Sequence, residues 1–186
     1  MYKFLITALL SCLFIQDEPT ITWKLSNRLE WSDFKADPQP REEVVAVTAS
    51  GLSFGYSTKR YNTGRIEYDF NVVAHFYPEK SWYVKQHVTN NTLNHERLHF
   101  DITELLARKF RQIVRTTNFT RDIDKEMDAI HGRINADLRT MQKKYDSETD
   151  HSRNVEKQIE WQNFIIKELN ALKTLKHPNI IELIYY

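Results

Sequence analysis

Residues 123–145 read IDKEMDAIHGRINADLRTMQKKY. Apolar side chains recur there at intervals of three and four residues, at Ile123, Met127, Ile130, Ile134, Leu138, Met141 and Tyr145. Because an α-helix has about 3.6 residues per turn, this spacing forms one apolar stripe and predicts a long amphipathic helix. The segments on either side must supply the surface against which the stripe is buried.

Helical patterns flank this stretch on both sides. Upstream, residues 89–91 supply Thr and Asn side chains that are candidate N-caps for a helix over residues 92–116. Downstream, the apolar residues from Val155 to Leu175 predict a third helix that ends near His177-Pro178. If the first two helices pack antiparallel, the end of the second returns to the start of the first.

The N-terminal half of the chain carries β-strand patterns. Residues 66–72, IEYDFNV, alternate apolar and polar side chains, as a half-buried strand does. A turn signal at residues 62–64 and two β-prone runs within residues 44–56 precede them, with Gly51 as a candidate bend, so an antiparallel hairpin is predicted. Pro78 is expected to end the sheet region. The predicted fold class is α+β, with a small antiparallel sheet followed by three long helices.

Composition limits the class of protein. The chain has 186 residues, 41% hydrophobic and 27% charged, which is typical of one soluble globular domain. Lys+Arg 26 against Asp+Glu 25 gives a net charge of +1, which argues against nucleic acid as a partner. A single cysteine excludes a disulfide framework and a thiolate zinc site, so His, Asp and Glu would have to hold any metal.

The first sixteen residues differ from the rest of the chain. Their apolar run, residues 4–15, would span about 18 Å as a helix, against roughly 30 Å for a bilayer core, and a secretory signal peptide is expected. Alternatively, residues 9–12 are similar to a bacterial lipoprotein box with Cys12 as the lipidated residue, or the run is a buried helix. The expected organisation is a signal over residues 1–16 and one exported domain over residues 17–186.

The strongest chemical signal is HERLH at residues 95–99, an H-E-x-x-H motif inside the first predicted helix. Residues four apart on a helix lie one turn above each other, so His95 and His99 can bind one zinc ion. Glu96 lies about 100° around the helix from His95, beside the metal, where its carboxylate can take a proton from a zinc-bound water. A solvated helix face with two exposed histidines is the alternative interpretation.

A catalytic zinc site needs a third protein ligand and an open position. Residues 100–107 lack the Gly and His of the extended metzincin pattern, so this ligand must come from farther along the chain. The candidates lie in residues 145–151, at the junction of the second and third helices. We expect His151 to be the ligand, with Glu148 as an outer-shell partner or as the ligand itself. His131, in the middle of the second helix, is the rival.

Other residues of the motif helix and the tryptophans are expected to be structural. Asp101 should point away from the metal and pair with another element. Glu104 and Arg108 form an i,i+4 pair worth a few tenths of a kcal/mol. Core or groove-wall positions are expected for Trp23, Trp31, Trp82 and Trp161.

Spaced segments occur in one order along the chain. They are LEWSDF (29–34), AVTASG (46–51), SW (81–82), HERLHFD (95–101) running into Ala107-Arg108, and YDSETDH (145–151) followed by Gln158 and Trp161. Together they resemble a bacterial family known as domain of unknown function 922, whose members are described as predicted secreted zinc-dependent proteases. The resemblance implies a zincin-like fold with His95 and His99 as zinc ligands and Glu96 as the catalytic carboxylate. The family pattern has Gly after the last His, whereas this chain has Ser152.

These observations predict an exported zinc-dependent metallopeptidase acting on peptide or protein substrates. Zinc would polarise the scissile carbonyl and lower the pKa of its bound water to about 7, so that Glu96 acts as general base. Tyr145, beside the proposed ligands, is a candidate oxyanion donor, and the strand over residues 66–72 would bind extended substrate if it lies at the sheet edge. The competing hypothesis is an exported or lipid-anchored binding protein in which a fourth protein ligand closes the site, or in which the site is vestigial.

Overall fold

The computed structural model describes residues 18–39, 44–173 and 182–184. The strands are β1 (Ile21–Thr22), β2 (Ala46–Val47), β3 (Ser50–Arg60), β4 (Ile66–Phe76), β5 (Trp82–Tyr83) and β6 (Glu182–Ile184), and the helices are α1 (Asn90–Thr116), α2 (Ile123–Thr149) and α3 (Val155–Ala171). The predicted α+β class, an antiparallel sheet and three helices, is confirmed. The predicted signal segment, with Cys12, lies outside the described residues. None of the helices in the described ranges has both the length and the hydrophobicity that crossing a membrane requires.

A long β-hairpin forms the main sheet. β3 and β4 pair antiparallel from Ser50 opposite Phe76 to Arg60 opposite Ile66. The turn between them closes through the Gly64 amide, which donates to the Tyr61 carbonyl at 3.0 Å, and Gly64 has a φ of 86° that suits glycine. The predicted hairpin is therefore present.

The other edge of β4 is paired at both of its ends, which bears on its predicted role in substrate binding. β6 pairs with residues 66–68 and β1 pairs with residues 75–76. Between these two pairings, the Val72 carbonyl accepts hydrogen bonds from the Arg111 guanidinium at 2.7 and 3.1 Å. Residues 66–68 thus lie between two strands, so the condition on which residues 66–72 would bind substrate, a free sheet edge, is not met at the start of this segment.

Three local details also differ from the sequence prediction. Gly51 does not bend the chain, because it lies within β3 opposite His75. Pro78 does not end the extended region, since β5 follows it and pairs with β2 in a second, two-stranded sheet. α3 ends at Ala171, before the predicted stop near His177.

The core lies between the hairpin and α1, with α2 and α3 packed on the other sides of α1. Thr89 caps the start of α1: its side-chain oxygen accepts from the Thr92 amide at 3.2 Å, while the Thr92 hydroxyl accepts from the Thr89 amide. On α2, the predicted apolar stripe is buried apart from Met141, which is half-buried. α1 is therefore the central helix, and it carries the H-E-x-x-H motif.

A buried ionic network joins α1 to the sheet and to α3. The Glu104 carboxylate accepts from Arg108 at 2.8 Å and from Arg111 at 3.2 Å, and all three side chains are buried. Arg108 also donates to the Leu169 carbonyl of α3 at 2.6 Å, while Arg111 reaches the Val72 carbonyl of β4. The Glu104–Arg108 pair exists as predicted, but it is a core feature and not a surface pair.

Glu104→Ala is expected to lower the free energy of unfolding by about 3–5 kcal/mol. The substitution leaves two buried guanidinium groups without their shared carboxylate, and breaking a buried ion pair from one side typically costs that much. Urea denaturation followed by circular dichroism measures the change. Glu160→Ala is the control, because Glu160 pairs with Lys157 at the surface and such pairs contribute about 0–1 kcal/mol. Equal losses in both variants would contradict the assignment.

Candidate metal centre

The antiparallel packing of α1 and α2 builds the candidate site. It places the end of α2 beside the first half of α1, so that Gln142 and Asp146 meet His99 and His95. The sequence predicted that antiparallel packing of the first two helices would bring residues 145–151 near the motif, and this packing is present.

The other charged side chains of the motif region face the N-terminal segment. Arg97 donates to the Leu29 carbonyl at 2.6 Å. Asp101 accepts from Trp23 and Arg28 at 2.8 and 2.7 Å, as expected for a residue that pairs with another element.

Three potential ligand atoms form a small triangle. The Nε2 atoms of His95 and His99 are 3.1 Å apart, and the Asp146 Oδ1 atom lies 3.2 Å from the first and 2.8 Å from the second. Nitrogen and oxygen ligands of a tetrahedral zinc, at about 2.0–2.2 Å from the ion, lie about 3.3–3.6 Å apart. Small outward rotations of the side chains would therefore admit an ion, and the donor set fits zinc.

Gln142 fixes the orientation of the His99 ring. The Gln142 side-chain nitrogen donates to the His99 carbonyl at 2.9 Å, which turns its side-chain oxygen towards His99 Nδ1. Since an amide oxygen only accepts, Nδ1 carries a proton, and Nε2 is the ring nitrogen that faces Asp146 and would bind a metal after losing its own proton. Such an outer hydrogen bond is the usual support of a metal-binding imidazole.

Tyr145 supports both imidazoles from inside the protein. Its ring stacks on His95 at 4.5 Å between centroids and meets His99 edge-on at 4.9 Å. The side chain is fully buried, its hydroxyl lies 3.5 Å from the His95 carbonyl oxygen, and burial raises the pKa of the phenol. The structure thus places Tyr145 behind the histidines, where it holds the rings in position.

The charges of the triangle favour a cation. Burial lowers the pKa of His95. Burial also lowers the pKa of His99, but the hydrogen bond to Asp146 and its negative charge outweigh this and raise it to about 9. Burial raises the pKa of Asp146, yet its hydrogen bonds to both imidazoles hold that pKa well below the usual range. An ionised carboxylate therefore faces two ring nitrogens, and its negative charge stabilises a positive charge beside it, which the protonated His99 ring supplies here and which a metal ion would supply in its place.

Glu96 lies beside the triangle as the helical spacing predicts. It is 4% exposed, it lines the same cavity as His95 and His99, and its Oε2 atom is buried without a hydrogen-bond partner among the described residues. Its backbone carbonyl accepts from the Thr48 hydroxyl at 3.2 Å, which ties this turn of α1 to the end of β2. A buried carboxylate oxygen without a partner is costly for folding, so a chemical role is the natural explanation.

The two remaining predicted residues differ in position. His151 lines the cavity at its mouth, with a side chain 46% exposed and with Nδ1 4.0 Å from Asp146 Oδ1. Glu148 accepts instead from the Trp161 indole nitrogen at 2.8 Å. His131, the rival ligand, packs against the rings of Phe54 and Phe110. The structure therefore brings Asp146 into the triangle and places His151 next to it.

The loop after α2 determines where His151 lies. Asp150, His151 and Ser152 have φ values of 48°, 50° and 78°, a run in the left-handed region that favours glycine. Asn91, at the start of α1, donates to the Ser152 carbonyl at 2.6 Å and holds the loop against α1. The glycine of the family pattern falls at position 152, where this backbone conformation suits it.

The cavity has a volume of about 560 Å³. α1 and α2 form the wall that carries the triangle. Residues 44–48, which include β2, and Trp82 of β5 form much of the remainder. The fold and site define an α+β protein with a two-histidine, one-carboxylate cluster at the wall of an open cavity.

One comparison with known proteins gives a match. A family model described as a bacterial protein of unknown function (DUF922) matches residues 78–152, which run from the turn before β5 through α1 and α2 to Ser152. The resemblance to domain of unknown function 922 is confirmed over these residues, and they contain all the residues of the triangle. Neither the curated proteins nor the solved structures include a match to the chain.

Proposed function

We propose that the chain is an exported zinc-dependent metallopeptidase in which His95, His99 and Asp146 bind the zinc and Glu96 is the general base. The observation that carries this proposal is the triangle of ligand atoms beside a buried carboxylate oxygen without a partner. The apolar run at residues 4–15, a candidate secretion signal, supports export.

The protein side chains have separate roles in this proposal. Gln142 and Tyr145 hold the two imidazoles, so that the ligand atoms are arranged before the metal binds. Bound zinc supplies Lewis acidity and lowers the pKa of water in its open coordination position. Glu96, within the same cavity wall, accepts the proton of the attacking water and returns it to the leaving amine.

The number of ligands favours a catalytic over a structural site. In the described part of the chain, no fourth His, Cys, Asp or Glu side chain joins the triangle. Structural zinc sites are closed by four protein ligands, whereas catalytic sites have three and leave one position for water or substrate. The triangle faces a cavity of about 560 Å³, which leaves room for that substrate.

β2 is suited to bind an extended peptide beside the site. β5 pairs with one edge of β2, with Ala46 opposite Tyr83 and Val47 opposite Trp82. Residues 44–48 also line the cavity that contains the triangle. Because this segment lines the cavity, a peptide that pairs with its backbone would lie extended across the site. Such strand addition provides affinity through main-chain hydrogen bonds and does not require a fixed peptide sequence. This segment takes the place of residues 66–72, whose first three residues pair with strands on both sides.

Digestion of a broad peptide library by the purified mature protein tests the proposal. We expect peptide-bond cleavage that a chelator abolishes and that added zinc restores. Mass spectrometry of the products identifies the bonds that are cut. Cleavage that survives complete removal of metal would contradict the zinc mechanism, and a zinc-loaded protein that cuts no peptide would contradict the peptidase assignment.

A further inference from the structure

The cavity wall carries two cations that the proposed reaction does not use. Arg139 and Lys143 of α2 both line the cavity, and both are exposed. Neither has an ion pair or a side-chain hydrogen bond with any described residue. By contrast, the neighbouring Lys144, which does not line the cavity, pairs with Glu148 at 3.7 Å. The two cavity cations are therefore available to a ligand.

Helical spacing places these cations on the side of the triangle. Arg139, Lys143 and Asp146 are separated by four and three residues, so they share one face of α2. At a rise of 1.5 Å per residue, Lys143 lies about 4.5 Å and Arg139 about 10.5 Å along the helix from Asp146. An extended peptide rises about 3.3 Å per residue, so this distance corresponds to about one to three residues of bound substrate.

Among the described residues, the rest of the cavity lining does not neutralise this charge. Its described carboxylates are Glu96 and Asp146, which belong to the proposed metal centre. Residues 44–48, which also line the cavity, are uncharged and mostly aliphatic. Away from the metal centre, the described part of the cavity wall is therefore positive along α2 and apolar along β2.

We infer that the cavity selects peptides with an acidic side chain within about three residues of the bond that is cut, and that Arg139 and Lys143 determine this preference. The inference rests on the proposed function for the reaction, but the charge preference itself is a property of binding. An ionic preference of this kind weakens as salt screens exposed charges, with a Debye length of about 3 Å at 1 M.

Binding to the inactive Glu96→Gln variant tests the inference separately from catalysis. Two octapeptide libraries are compared, identical except that alternate positions are fixed as Glu in one and as Gln in the other. We expect at least about tenfold tighter binding of the Glu library at low ionic strength. Adding Arg139→Glu and Lys143→Glu should abolish or reverse the preference. Arg133→Glu is the matched control, since Arg133 is exposed on the same helix but does not line the cavity.

The outcomes separate this inference from the proposed function. Equal binding of the two libraries, no binding of either, or a preference that survives both charge reversals would overturn the inference. If the wild-type protein cleaves peptides without charge preference, the peptidase assignment stands and the inference is wrong. If the Glu library binds as expected but the wild-type protein cleaves nothing, the acidic ligand preference stands and the peptidase assignment is wrong.

Discussion

Glu96→Gln is expected to keep its zinc and to lose peptide hydrolysis by about 10²–10⁴-fold, the usual contribution of a general base. Glu96 lies beside the triangle and not within it, so its loss removes no ligand. The amide has nearly the shape of the carboxylate but cannot accept the proton of the attacking water. Rates of peptide cleavage and zinc content, measured on the same preparation, test both parts of this expectation.

The control for this variant is Glu160→Gln, which makes the same chemical change at an exposed position of α3. It should retain full activity. If Glu96→Gln retains the wild-type rate, the general base is another residue. If it loses zinc as well as activity, Glu96 is a ligand and the assignment of roles within the motif fails.

Asp146→Ala is expected to weaken zinc binding by more than about 100-fold, beyond the 10–100-fold that loss of an outer-shell partner typically costs. The substitution removes the carboxylate that lies 2.8 Å from His99 Nε2 and 3.2 Å from His95 Nε2. Competition with a chelating dye measures the affinity. Gln142→Leu removes a residue that supports His99 without being a ligand, so it should weaken zinc binding less than Asp146→Ala does. Gln112→Leu makes the same chemical change at an exposed position of α1 and is the control.

The same titration decides between Asp146 and His151. The sequence assigns the third ligand to His151, and the structure places that side chain in the cavity wall, with Nδ1 4.0 Å from Asp146 Oδ1. A greater loss of affinity in His151→Ala than in Asp146→Ala would favour the histidine as ligand. A loss confined to Asp146→Ala would leave His151 as a residue of the cavity mouth.

The helices could be predicted because their burial pattern is local. The apolar stripe of α2 and the threonine cap of α1 appear directly in the spacing of the residues. The Glu104 network could not be predicted, because charged side chains of a helix usually lie on its solvent-exposed face. Its burial depends on carbonyls from β4 and α3, which are distant in sequence.

Strand order and the third ligand depend on contacts that the local sequence does not specify. β6 comes from the far end of the chain to pair with residues 66–68, so local alternation could not show that β4 is central. From the sequence, residues 145–151 were predicted to lie near the motif and to form the junction between the second and third helices. α2 in fact continues to Thr149, which turns Asp146 towards the histidines, and the left-handed run at residues 150–152 then carries His151 to the cavity mouth.

The most direct test of the zinc metallopeptidase assignment is a zinc titration of the metal-free protein with cleavage of the peptide library as the readout. The assignment predicts that activity rises with added zinc and saturates at one equivalent per chain, because the described residues form a single His-His-Asp triangle. A protein that takes up no zinc at neutral pH, or that binds one equivalent and still cleaves no peptide, would contradict the assignment.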